Sequence, residues 1–291
     1  MPRFSVSQGG ASLLSDALEI IDQPRVRAIV APGFLTRLRE LNALEPTGWR
    51  HHFNGEDRSG AGRLPVATPR LSGGLELVLR RFHHGGLFAG LFNDKLMSPA
   101  RIFREFRIHH ALAERGAPVP RPAFAVAHRS GALWTGGIAT VRVAGAVEAG
   151  AFLRAHPAGP AVRGAAAAVG DALRRFHDAG GRHADLHIGN ILLCESAPAK
   201  AVILDLDQAR DGAPPSNGRR AKEIGRLHRS LYKRRLRPHP VDPPAIACFW
   251  EAYTADAPEG LRDLQRRLHA QALRIAIHRA GYALGPGSRT G

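Results

Sequence analysis

The stretch from Ala165 to Gln208 constrains the fold more than any other part of the chain. "AAAAVGDALRRFHDAG" has the composition and apolar spacing of a helix, and Gly180 and Gly181 close it. A polar loop, "GRHADLHIGN", leads into two short apolar runs, "NILLC" and "KAVILDLDQ", separated by "ESAPA". Such runs predict the two strands of a hairpin. A hairpin returns the end of its second strand, at Asp205 and Asp207, to the neighbourhood of the polar loop.

Three readings suit that loop. His183, Asp185 and His187 alternate, so on an extended strand their side chains point the same way, as in some zinc and iron sites; no second cluster with ligand spacing completes the shell. A polar turn capping the preceding helix is the second reading. The third is phosphoryl transfer, which needs a carboxylate to orient the attacking hydroxyl, an amide or carboxylate to hold Mg²⁺, and a further carboxylate on a neighbouring strand. Asp185 and Asn190, five apart, supply the first two, and 15 residues after Asn190 the apolar strand ends in Asp205 and Asp207.

The rest of the chain predicts an α+β protein. Residues 1–50 read as an N-terminal extension with a helix in "TRLRELNAL". Glycines at 55, 60, 62, 73 and 74 then punctuate short segments of strand character, of which "LELVLRRF" is the clearest. Beyond the Gly-rich "HHGGLFAGLFNDKL", Ile102, Phe106, His109 and Leu112 recur near helical spacing, with Ser98 as a cap and Gly116 as a stop. "APVPRPAFAVAHRSGALWTGGIATVRVAGA" predicts turns and two or three strands. From Ala165 the reading is mainly helical, including "RRAKEIGRLHRSLYKRRLR", with Ile224, Leu227 and Leu231 on one face, and a last amphipathic helix in "EGLRDLQRRLHAQALRIAIHRAGYAL". A chain of 291 residues can bury a core in each of two lobes.

Two cysteines, Cys194 and Cys248, form no disulfide framework, which suits a reducing compartment. The N-terminus lacks the basic start and apolar run of a secretory signal, and no stretch reaches about 18 apolar residues, so a soluble or peripheral protein is expected. Lys and Arg total 41 against 25 Asp and Glu, a net +16. Such an excess favours a polyanionic partner, nucleic acid or an anionic membrane surface, although an Arg-rich composition alone also produces it.

"HADLHIGN" resembles the catalytic loop of the protein-kinase-like superfamily, in the HxDLHxxN form of small-molecule and sugar kinases. "LDLD" sits where that superfamily has DFG, keeping the aspartate at Asp205 and replacing glycine by Asp207. "LVLRRFHHGGLFAGLFNDKL", "FREFRIHHALAERGAPVPRP" and "IGRLHRSLYK" are together similar to the 3-deoxy-D-manno-octulosonic acid (Kdo) kinases of the lipopolysaccharide kinase family. The resemblance implies a bilobal fold, with a small antiparallel-sheet N-lobe carrying one helix at 51–143 and a mainly helical C-lobe at 144–291. It implies Asp185 as catalytic base, Asn190 and Asp205 as Mg²⁺ ligands, and Glu105 as the helix glutamate that pairs with a cation on the "ELVLRRF" strand. That cation falls at Arg80, where the superfamily has lysine, and arginine offers a bidentate fork in place of a point charge. Arg81, one residue on, would face the other side of the strand. The resemblance further implies that His187 contacts the transferred phosphoryl group or the substrate and that His183 is scaffold. Asp207 would assist Mg²⁺ or bind a neighbour such as Arg210. "GEDRSGAG" is not GxGxxG, but Gly60 and Gly62 would let backbone amides approach ATP phosphates, and adenine is expected beside Val141 and Val143.

Only 86 residues follow Asp205, with no APE-like motif or long activation segment, which disfavours a peptide kinase. Aminoglycoside-type kinases present acidic surfaces to cationic drugs, and this chain carries +16. Arg219 to Arg237 holds nine Lys or Arg against the single Glu223. Each basic group is worth roughly 1 kcal/mol at an anionic membrane surface. The expectation is an ATP- and Mg²⁺-dependent kinase acting on the 4-hydroxyl of Kdo in a Kdo-lipid A precursor, peripheral to the cytoplasmic face of the inner membrane. Phosphorylation of heptose or another small molecule is the alternative within the superfamily. A nucleic-acid-binding pseudokinase is the alternative from another class, and the intact Asp185, Asn190 and Asp205 argue against it, so no nucleic-acid partner is expected.

Overall fold

The computed structural model describes residues 17–53, 66–82, 96–194, 200–237 and 239–255. These fall into two compact units, one within Met1–Phe103 and Ala123–Thr140, the other within Arg104–Pro122 and Val141–Gly291. The predicted nucleotide loop with Gly60 and Gly62, most of the Gly-rich linker before Leu96 and the last predicted helix lie outside the described residues.

In chain order the elements begin with β1 (Glu19–Asp22), β2 (Val26–Val30), α1 (Leu35–Glu40), α2 (Pro46–His51), β3 (Val66–Ala67) and β4 (Leu77–Arg81). Helix α3 (Ala100–Glu114) follows, then β5 (Pro122–Ser130) and β6 (Leu133–Val141). The strands form one six-stranded sheet in the order β1-β2-β5-β6-β4-β3. Strand β5 lies inside the sheet and is buried from Pro122 to His128, so neither face can be polar. Ala123, Ala125 and Ala127 occupy one face, and Phe124, Val126 and His128 the other. His128 meets that demand by bonding through Nε2 to Ala43 O at 2.9 Å. On β6 a Cβ at Gly136 would stand 2.1 Å from Val126 O, and one at Gly137 2.0 Å from Arg80 O, so larger residues would force the neighbouring strands apart.

The sequence sets residues 1–50 apart as an extension, yet β1 and β2 are strands of this sheet, with Val30 paired to Phe124. "VRAIV" has little alternation of its own, and its pairing with β5 is what makes it a strand. Helix α3 opens where Ser98 Oγ accepts from Ala100 N at 3.2 Å and closes at Gly116 with φ 75°. The division between the units falls within α3: Ile108 and Leu112 belong to the second unit's core, although the sequence boundary at 143 assigns the whole helix to the first lobe.

The second unit contains β7 (Ala146–Glu148), α4 (Ala149–Ala155), α5 (Pro160–Asp178), β8 (Ile191–Cys194), β9 (Lys200–Ile203), α6 (Asn217–Lys233) and α7 (Pro243–Thr254). Strands β7, β8 and β9 form an antiparallel sheet in which Ile191 pairs with Ile203 and Leu193 with Ala201. Leu173 and Phe176 of α5, Ile224, Leu227 and Leu231 of α6, and Phe249 and Tyr253 of α7 share one apolar core. Helix α7 is absent from the sequence reading, although Asp242 caps it, accepting from Ala245 N at 2.9 Å, and Pro243 starts it. It packs on α5 at Gly170, where a Cβ would lie 2.3 Å from Phe249 O. Among the described residues no helix is long and apolar enough to cross a membrane.

Gly180, which releases the chain from α5 into the polar loop, has φ 83°, and a Cβ there would lie 1.8 Å from Gly212 O. Gly145 also has positive φ, 62°, but open space around it. Left-handed geometry alone costs a non-glycine residue about 1–2 kcal/mol. Gly145→Ala should lose about that much in denaturant unfolding, and Gly180→Ala should lose clearly more or fail to fold.

Candidate active site

The polar loop is tied at both ends to the segment that carries Asp205. Arg182 N donates to Arg210 O at 2.9 Å and Arg210 N to Arg182 O at 3.0 Å, while Leu204 N donates to Asn190 O at 2.8 Å. Between these ties the loop is held by a side chain of its own. His183, 2% exposed, accepts the Asp185 N–H at Nδ1 (3.2 Å) and donates from Nε2 to Leu204 O (2.9 Å). Those partners fix the neutral Nε2–H tautomer. Both ring nitrogens are therefore taken, and the reading of His183, Asp185 and His187 as a transition-metal triad is overturned. No group of three or more His, Cys, Asp or Glu among the described residues could hold a metal ion.

Helix α6 supplies the rest of the support. Glu223 Oε2 accepts the His183 N–H at 2.9 Å, Arg226 Nη2 donates to His183 O at 2.7 Å, and Ser230 Oγ accepts the Ile188 N–H at 2.9 Å. Residues 223, 226 and 230 lie on one side of the helix, so a single rigid element grips the loop at three backbone groups. Behind them Glu223 Oε2 lies 3.3 Å from His177 Nε2, and His177 Nδ1 accepts from the Tyr253 hydroxyl at 2.7 Å. Arg220 reaches both Tyr253 OH (3.4 Å) and Asp178 (2.8 Å). Sequence reasoning named none of these as site residues. The available signal was Glu223 itself, the lone acid in a basic helix and next to its apolar face.

On this support stand the candidate reacting and metal-holding residues. The Asp185 side chain is 73% exposed, while Asn190 is buried and donates from Nδ2 to Asp185 O at 3.0 Å. With the amide nitrogen so engaged, Oδ1 is the atom Asn190 can offer to a cation. His187 accepts the Gly189 N–H at Nδ1 (3.1 Å), which leaves Nε2, 3.7 Å from Asp185 Oδ2, to carry the ring proton. Asp205 is exposed with φ 60°, a left-handed conformation that aspartate tolerates better than most residues, and Asp207 is half-buried. An amide oxygen and a carboxylate are hard donors of the kind Mg²⁺ takes from protein while keeping several waters, so Asn190 and Asp205 fit that ion.

The remaining predicted residues lie on β4, on α3 and at the end of β6. Arg80 lies on β4 in the first unit, its guanidinium 5.2 Å over the Phe82 ring, and shares a face with Val78 opposite Leu77 and Leu79. Arg81 lies 5.2 Å over the Phe53 ring, on the other face, as alternation requires. Glu105 is buried on α3 within the second unit. Val141 ends β6, donating its N–H to Arg121 O at 2.8 Å, and Val143 lies two residues beyond, both half-buried.

Three comparisons bear on this arrangement. Residues 63–244 match the model of the lipopolysaccharide kinase (Kdo/WaaP) family. The chain is 30% identical over 205 residues to a 3-deoxy-D-manno-octulosonic acid kinase of Vibrio vulnificus (strain YJ016), covering 68% of this chain and 82% of that protein. A protein of the same name from Xanthomonas euvesicatoria pv. vesicatoria (strain 85-10) is 32% identical over 206 residues, covering 68% and 78%. Among solved structures, WaaP in complex with acyl carrier protein superimposes with a TM-score of 0.57 at 17% identity, over 89% of this chain and 100% of that one, which gives the protein-kinase-like fold.

Burial holds the proton affinities of His183 and His177 below the ordinary histidine range, against the pull of their hydrogen-bond acceptors, and His128 shifts the same way. In the unfolded chain these groups take up protons near pH 6.5, so below that pH the unfolded state binds more protons than the native one. Stability should be full above pH 6.5 and fall as pH drops below it. Urea midpoints between pH 7.5 and 5.5 should decline, and His183→Gln, which removes one titrating group, should show a shallower decline.

Proposed function

We propose, from the premise that this chain belongs to the lipopolysaccharide kinase (Kdo/WaaP) family, that it transfers the γ-phosphoryl group of ATP to the 4-hydroxyl of Kdo on a Kdo-lipid A precursor. The chain is a phosphotransferase with a hydroxyl acceptor and belongs to lipopolysaccharide biosynthesis. The observation that carries the finer reading is the exposed Asp185 carboxylate on a loop whose backbone is fastened by buried groups. Family resemblance alone supports the 4-hydroxyl and the acceptor's identity.

The loop is suited to a reaction governed by position and charge. Asp185 accepts the acceptor hydroxyl's hydrogen bond, directs its oxygen in line with the γ-phosphorus and takes its proton as the new P–O bond forms and the bond from the γ-phosphorus to the departing ADP breaks. His187, its Nδ1 engaged by Gly189, presents an Nε2 proton beside Asp185, where it can donate to the acceptor or the transferred group. Asn190 Oδ1 and Asp205 would hold Mg²⁺, which when bound neutralises charge developing on the phosphates. Arg80, Glu105 and the backbone near Gly60, Gly62, Val141 and Val143 are proposed to bind the nucleotide.

The protein would work as a peripheral protein on the cytoplasmic face of the inner membrane. Of the nine basic residues from Arg219 to Arg237, four have partners within the protein: Arg220 with Asp178, Arg226 with His183, the exposed Arg234 with Glu148, and Arg237 with His228 and Tyr232. Arg219, Lys222, Lys233 and Arg235 are exposed. Four such groups supply at most about 4 kcal/mol at an anionic surface, enough for reversible docking.

In a transfer assay with purified Kdo-lipid A precursor and mass spectrometry of the product, the wild type should add one phosphate to Kdo. Asp185→Ala should lower kcat by about 10²–10⁴-fold with little change in nucleotide binding. Phosphate on a heptosylated acceptor only would move the activity to heptose. Co-sedimentation with vesicles containing anionic lipid should fall with rising salt and weaken in a Lys222→Glu/Lys233→Glu protein, whereas salt-insensitive binding would remove the membrane role.

A further inference from the structure

Arg104, Arg107, Ile108 and Ala111 lie on one face of α3, at spacings of three, four and seven residues. Together with Arg210 and Asp211 they line an open concavity of about 550 Å³. The one lining carboxylate is already engaged, since Asp211 Oδ2 accepts from Arg115 Nη2 at 2.9 Å. Among the described residues no carboxylate pairs with Arg104, Arg107 or Arg210. Three arginines thus line one hollow together with the apolar Ile108 and Ala111. A bound dianion relieves their mutual repulsion, and the planar fork of arginine matches phosphate oxygens.

The hollow is coupled by backbone to the loop that carries Asp185. Arg210 exchanges two hydrogen bonds with Arg182, three residues before Asp185, and a span of three residues extends at most about 10 Å. Arg210 also follows Asp205 by five residues. A molecule with a hydroxyl at Asp185 can therefore place a substituent of the neighbouring sugar near Arg210. Asn190 and Asp205 are the groups suited to the nucleotide's metal, which leaves the three arginines without a task in the transfer step.

We propose that this hollow binds a phosphate monoester of the acceptor saccharide, carried on a sugar next to the one that is phosphorylated. The proposal rests on the reading of the protein as a kinase of a glycolipid bearing sugar phosphates. Arg104, Arg107 and Arg210 would select the phosphorylated acceptor and set its register against Asp185, while taking no part in bond making.

The test compares wild type with Arg107→Gln/Arg210→Gln, both exposed positions, on two acceptors: the bisphosphorylated Kdo-lipid A precursor and the same molecule stripped of its lipid A phosphates. The variant should raise KM for the bisphosphorylated acceptor at least tenfold, with KM for ATP unmoved and an unchanged melting temperature. On the stripped acceptor wild type and variant should have the same raised KM. Equal KM values on the bisphosphorylated acceptor, or an equal loss on both acceptors, would overturn the proposal. In parallel, calorimetric titration with the deacylated, Kdo-free glucosamine disaccharide bisphosphate should show binding to wild type that is at least tenfold weaker in the variant, and equal binding would overturn the proposal. A wild type that binds this disaccharide through the two arginines yet phosphorylates no Kdo acceptor would overturn the assigned reaction and leave the phosphate site standing.

Discussion

One buried carboxylate holds the candidate site together. Glu223 Oε2 accepts the His183 N–H at 2.9 Å and lies 3.3 Å from His177 Nε2, with Glu223 only 3% exposed. A carboxylate in such a place is costly unless its lone pairs are used. Here two donors meet one oxygen, and a bond made away from water is expensive to break. From His183 the restraint passes on, because its ring joins Asp185 N to Leu204 O. The backbone that carries the exposed Asp185 carboxylate and the strand end that leads to Asp205 are consequently held by groups that solvent barely reaches.

Helix α6 therefore has two faces with different work. Its inner side, through Glu223, Arg226 and Ser230, satisfies three backbone groups of the loop. Its outer side carries Arg219, Lys222 and Lys233, solvated charges whose individual energies are small and screened by salt. A count of basic residues in the sequence merges the two, and the structure separates them: Arg220 and Arg226, counted as surface charge, are internal hydrogen-bond donors. The surface charge left over is modest, and the membrane docking proposed for it would be reversible.

Where each element's own chemistry was sufficient, the sequence was readable. Ser98 and Gly116 bracket α3, Gly180 ends the turn after α5, and the apolar runs of β8 and β9 pair as a hairpin. The place of the polar loop was readable too, because the hairpin returns Leu204 to Asn190, with Asp205 next in the chain. Illegible were the features created by long-range partners. Strands β1 and β2 exist because β5 offers an edge, and the assignment of most of α3 to the helical unit depends on what Ile108 and Leu112 pack against. The grip of α6 on the loop was hidden for a related reason: Glu223, Arg226 and Ser230 bond to backbone groups, and backbone partners leave no mark on the sequence at the position they join. Helix α7 is different, since Asp242 followed by Pro243 is a start signal that local reading could have used.

On the proposed assignment, Glu223 acts on catalysis through the placement of Asp185 and not independently of it. A double-mutant cycle of kcat for Glu223→Gln and Asp185→Ala measures this directly. Glu223→Gln alone should lower kcat by about tenfold or more, as expected when a residue positions a reacting group. In the Asp185→Ala background, the same change should cost almost nothing further. Losses that multiply, with Glu223→Gln equally damaging whether or not Asp185 is present, would contradict that coupling.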